Sequence, residues 1–144
     1  MKKFVFLLLV SMVLSGCRTG GVFLKETPLN ASDTRKVVVS VIGVPISTND
    51  NGRELVSKFH DKTGKEIEKP TQVKRRYFTR VSILGDRRPY DIQVEVFYEQ
   101  KDAAGKYVII NQDYSLAEER ANQIMKLLNE GRDRRNVIDD FKPY

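Results

Sequence analysis

Cysteine, histidine and tryptophan are nearly missing from this chain of 144 residues, which holds one Cys, one His and no Trp. A single Cys excludes an internal disulfide framework and any multi-Cys zinc site. A single His excludes paired-His metal sites. The length suits one domain rather than two. Long apolar runs are also scarce. The only one, Phe4 to Val13, is too short to cross a bilayer core, which takes about 20 helical residues.

That run has the form of a secretory signal peptide. Met1-Lys2-Lys3 is a positive n-region, Phe4 to Val13 an apolar h-region, and small residues follow at 15 and 16. Leu14-Ser15-Gly16-Cys17 resembles the lipobox of bacterial lipoproteins. The resemblance implies that Cys17 takes a lipid on its thiol, that the chain is cut before it, and that the new amine is acylated. The membrane relation is then "anchored to", since two or more acyl chains hold stably at about 0.8 kcal/mol per buried CH₂. Arg18 in place of Asp is similar to outer-membrane sorting, facing the periplasm, if the host is Gram-negative. Residues 1–16 carry two Lys and no acid, so the net charge of +6 falls to +4 on processing.

Beyond Cys17, Gly20-Gly21, Pro28 and Asn30-Ala31-Ser32-Asp33-Thr34 break periodicity. Residues 17–35 therefore read as the lipidated Cys and a flexible tether reaching on the order of 25 Å. Val22-Phe23-Leu24 is an apolar patch within it, expected to dock on the domain, the alternative being that it rests in the membrane interface or on a partner.

The domain is expected over 36–131, with a basic, partly ordered tail over 132–144. Val37 to Val44 is β-branched and reads as a buried strand. Residues 53–60 read as strand or as a short helix. Residues 61–64 make the turn of a hairpin with Gly64 at a positive φ. In the central hairpin Tyr77, Thr79, Val81 and Ile83 share one face, as do Tyr90, Ile92, Val94 and Val96. Pairing Leu84 with Pro89 aligns these faces and sets Lys74 opposite Glu99. Residues 107–111 form a further strand whose inward face stays open. Ser115 and Glu118 form a capping box, Ala117, Ala121, Ile124 and Leu128 an apolar stripe, and Gly131 ends the helix. The expected fold is α+β: an antiparallel sheet of about four to six strands with one C-terminal helix packed on one face.

No catalytic set emerges. His60 reads as an exposed turn residue, and Asp61 beside it would point to the opposite strand face. No phosphate-binding Gly loop, Cys-x-x-Cys or Gly-x-Ser-x-Gly occurs, and residues 47–58 lack the acids of a calcium loop. No metal or cofactor is expected. A carboxylate-dependent hydrolase stays open, because acid and base can be far apart in sequence. Export sets nucleic acid aside as a partner of the basic clusters Lys74-Arg75-Arg76, Arg87-Arg88 and Arg132 to Arg135. Arg87 and Arg88, at a turn tip, are the candidate site for an anionic envelope ligand such as lipopolysaccharide or peptidoglycan. Phe78 and Phe97, diagonal on the charged sheet face, are a candidate partner surface, with Lys and Arg stems lying over them as the favoured alternative. The expected role is a non-catalytic interaction or assembly module of the envelope, loosely similar in architecture to small accessory lipoproteins of outer-membrane assembly machines.

Overall fold

The computed structural model describes residues 20–139. Its elements are β1 (Val22–Thr27), α1 (Ala31–Ile42), β2 (Ser47–Thr48), β3 (Glu54–Val56), β4 (Arg75–Leu84), β5 (Tyr90–Lys101), β6 (Tyr107–Gln112) and α2 (Tyr114–Asp139). Every pairing is antiparallel, in the order β1-β5-β4-β3-β2, with β6 also on β5. β4 takes one side of β5. β1 pairs with Tyr90–Val94 on the other side and β6 with Phe97–Lys101, so β1 and β6 lie end to end along one edge. The class is α+β, as expected, with two helices on the sheet rather than one.

Residues 37–44 overturn the expected strand. Asn30 caps a helix there, its Oδ1 accepting from Asp33 N at 2.9 Å, and Gly43 closes it at φ 78°. Thr34 and Val38 are buried and Val37, Val41 and Ile42 partly so, a spacing of three and four that belongs to one helical face. An apolar β-branched run is ambiguous between buried strand and helix, and tertiary packing decided it. The expected tether shortens for the same reason. Val22–Thr27 is a strand of the sheet, and only residues before Gly20 precede the described fold. Cys17 and the signal segment lie outside the described residues, as do 140–144.

The central hairpin keeps its expected faces but shifts by two residues. Leu84 pairs with Asp91, Ile83 with Ile92, Val81 with Val94 and Thr79 with Val96. A shift of two preserves every apolar-to-apolar match, so hydrophobic patterning cannot distinguish the two registers. Cross-strand pairs can. The observed register sets Arg76 against Glu99, Arg80 against Glu95 and Phe78 against Phe97. Residues 53–60 hold no helix: Glu54–Val56 form β3, and His60 adds an isolated bridge to Tyr77 and Glu66.

The core fills between sheet and helices. Leu24, Leu55, Val81, Ile83, Ile92 and Val94 meet Val38 of α1 and Ala121, Ile124 and Leu128 of α2. Asp113, not Ser115, caps α2, accepting from Leu116 N through Oδ1 at 3.0 Å. Gly131 does not end it, and the tail expected to be partly ordered is helical from Arg132 through Asp139.

Candidate functional site

The edge made by β1 and β6 is the most unusual surface of the fold. β6 carries Val108, Ile109 and Ile110 in succession, 41%, 56% and 56% exposed, and Tyr114 follows at 61%. These are half of the large apolar side chains left exposed among the described residues, so the patch is concentrated rather than scattered. Exposure has a topological cause. Among the described residues β6 pairs only with β5, its outer edge has no partner strand, and both helices lie over other parts of the sheet. Ile110 is the extra residue of a bulge between the Tyr98–Asn111 and Glu99–Ile109 pairs. An open groove of about 260 Å³ lined by Tyr77, Tyr98, Asn111, Gln112, Asp113 and Tyr114 borders the patch. This edge is not among the sites expected from the sequence. Three consecutive apolar residues without alternation are visible in the sequence, but their exposure follows only from the edge position of β6.

The sheet's helix-free face is closed by its own side chains. The Arg76 guanidinium lies between the rings of Phe59 and Tyr107, at 3.7 and 3.5 Å from their centroids, and pairs with Glu99 at 2.7 Å. Arg80 covers Phe97 at 4.7 Å and pairs with Glu95 at 2.8 Å. Phe78 and Phe97 stack directly, at 5.0 Å, rather than diagonally, and Phe97 is only 8% exposed. This candidate partner surface is therefore largely covered, in line with the alternative that Arg stems lie over it. Arg87 and Arg88 stand exposed on the loop that joins β4 to β5.

His60 is buried, not exposed on a turn. It is 5% exposed, stacked on Tyr77, with Nδ1 2.8 Å from the Asp61 carbonyl and Nε2 3.1 Å from Thr79 Oγ1. A carbonyl only accepts, so Nδ1 carries the hydrogen, and Nε2 accepts from the Thr79 hydroxyl. Burial, aided by the Arg120 charge, pushes the imidazole below its usual 6.5 against the opposing hydrogen bond to Asp61. Hydroxyl, imidazole and carbonyl stand in the order of a nucleophile, base and orienter. Access decides against that use. Thr79 and Ser57 are sealed, Ser57 Oγ accepts from Thr79 N at 2.9 Å, and the adjoining cavity is about 60 Å³, room for a water or two. The cluster joins the β3 side of the sheet to β4.

Among the described residues no group of His, Cys, Asp and Glu is set to hold a metal, and no helix is long and apolar enough to cross a membrane. The chain matches no family model, no curated protein and no solved structure, so its own residues carry the functional reading.

Proposed function

We propose that this protein is a lipoprotein of the cell envelope, anchored by lipid on Cys17 and serving as a non-catalytic interaction or assembly module. The β6 edge carries the interaction reading. A strand whose outer edge is free among the described residues, with three exposed apolar residues, is a surface that ordinarily finds a partner. The residues Leu14-Ser15-Gly16-Cys17 support the anchor, and Arg18 favours the outer membrane, facing the periplasm, in a Gram-negative host.

Two measurements test this. Palmitate labelling of the expressed full chain should mark the wild type and not Cys17→Ser, and equal labelling of both would refute the anchor. A photo-crosslinking residue at Ile109 should form an adduct with an envelope component in intact cells. A clean absence of adducts would refute the interaction surface.

A second reading, binding of an anionic ligand such as lipopolysaccharide or peptidoglycan, is supported by the exposed pair Arg87 and Arg88. Salt-sensitive binding to purified lipopolysaccharide or peptidoglycan that disappears in the Arg87→Ala, Arg88→Ala double variant would favour it. Binding unaffected by both changes would remove the site.

A further inference from the structure

We infer that the β1–β6 edge rests on the membrane that holds the protein's own lipid, with Val108, Ile109, Ile110 and Tyr114 seated at headgroup level in an anionic phospholipid surface. This rests on the reading of Cys17 as lipidated.

Chain length supplies the first reason. Arg18 and Thr19 are all that separate Cys17 from Gly20, a reach of about 10 Å when fully extended. Gly20 is held in the edge itself. Its carbonyl accepts from Gln93 Nε2 at 2.9 Å, and the side chain of Gln112 occupies the place a Cβ would take. Gln112 is the last residue of β6, so Ile109 stands about 10 Å along the strand. The acyl chains and the apolar patch therefore reach the same level. A tether of eighteen residues would have left the domain free to tumble; this one ties a chosen edge to the bilayer and makes contact effectively intramolecular.

The patch suits a headgroup region better than another strand. The bulge at Ile110 distorts the edge as a template for regular pairing, which works against a second copy adding strand to strand. Loose apolar side chains need no register to enter an interface. Tyr114, apolar with a polar tip, is of the type enriched there. The unpaired backbone of β6 cannot enter hydrocarbon, which keeps the contact shallow. Lys25, Lys101, Lys106 and Arg18 favour anionic lipid, while Glu26, Asp102 and Asp113 offset part of that attraction. The apolar seat therefore contributes more than charge. The sheet then stands edge-on, with β2 and the exposed Ile46 on the far edge, roughly 19 Å away across the strands.

The Trp-free chain allows a direct test. Full-length protein carrying Ile109→Trp or Ile46→Trp is processed in cells, purified with its lipid and reconstituted into phosphatidylethanolamine–phosphatidylglycerol vesicles. Emission from Ile109→Trp should shift to the blue and be lost when the lipids are brominated near the headgroup, while Ile46→Trp keeps its emission. Emission retained by both variants, or lost equally from both, overturns the proposed orientation. A blue shift without bromine quenching, together with chain-to-chain crosslinks through residue 109, overturns it in favour of a second copy. Intact mass separates the two readings: acylated protein with unquenched Trp at 109 refutes the docking alone, and unacylated Cys17 refutes both.

Discussion

Arg76 and Glu99 face one another across the central hairpin, with Arg76 Nε donating to Glu99 Oε2 at 2.7 Å. Both side chains are largely covered, because the rings of Phe59 and Tyr107 sandwich the guanidinium. A planar cation thus does the work of an apolar residue on a sheet face that no helix among the described residues covers, and its charge is answered by the acid directly opposite. Arg76→Ala should cost about 2–4 kcal/mol, since it strands a covered carboxylate and opens a gap between two rings. Arg76→Lys keeps the charge but loses the planar stack and should cost about 1–2 kcal/mol. Urea unfolding measures both. Equal stability of the Ala variant and the wild type would show that the pair contributes nothing.

The hairpin also marks how far the sequence could be read. Period-two alternation located both strands and their faces, because burial on one side imposes it. The register escaped by two residues, because alternation repeats at that interval; the pairs Arg76–Glu99, Arg80–Glu95 and Phe78–Phe97 held the missing information. The stripe of Ala117, Ala121, Ile124 and Leu128 located α2, since a helix packed on a sheet needs those spacings. Val37 to Ile42 misled because β-branched residues favour strand until a cap and a core face favour helix. The candidate anchor Cys17 and the candidate ligand pair Arg87 and Arg88 are readings of the sequence alone. The β6 edge could not be read there, because exposure of Val108 to Ile110 depends on which strands and helices leave that edge bare.

His60 should make stability depend on pH. Its folded-state pKa lies below the usual 6.5, so the unfolded chain takes up the proton first as pH falls. The contribution is full above 6.5 and is lost progressively as pH drops from there toward the folded value, by at most about 1.4 kcal/mol per pH unit. His60→Gln should lower stability throughout yet remove that slope. Unfolding free energies of both proteins between pH 7.5 and 5.5 check this, and parallel curves would mean that His60 titrates alike in both states.

The start of α2 separates two residues that look equally able to cap it. Asp113 accepts from Leu116 N, while Ser115 lies one turn position inside the helix and is exposed. Asp113→Ala should cost about 1 kcal/mol and Asp113→Asn only a few tenths, whereas Ser115→Ala should fall within about 0.5 kcal/mol of the wild type. The opposite ranking in thermal unfolding would restore the capping box at Ser115 and Glu118.

Gly131 tests the length of α2. A glycine followed by Arg132, Arg134 and Arg135 reads as a helix end, yet α2 runs through it to Asp139. Its reason is close packing: a Cβ there would stand 3.3 Å from Cδ1 of the buried Leu29, on the segment that leads into α1. Because the neighbour is the end of a flexible side chain, Leu29 can yield by a few tenths of an ångström. Replacing a mid-helix glycine by alanine removes a helix penalty of about 1 kcal/mol. Gly131→Ala should therefore stabilise the protein by up to about 1 kcal/mol, and Gly131→Val, with two more methyls aimed at the same contact, should destabilise it by about 1–3 kcal/mol. Were Gly131 instead the left-handed residue of a helix end, both substitutions would destabilise, because a side chain at positive φ is strained. The sign of the alanine variant in a urea titration therefore decides whether the helix passes through or stops.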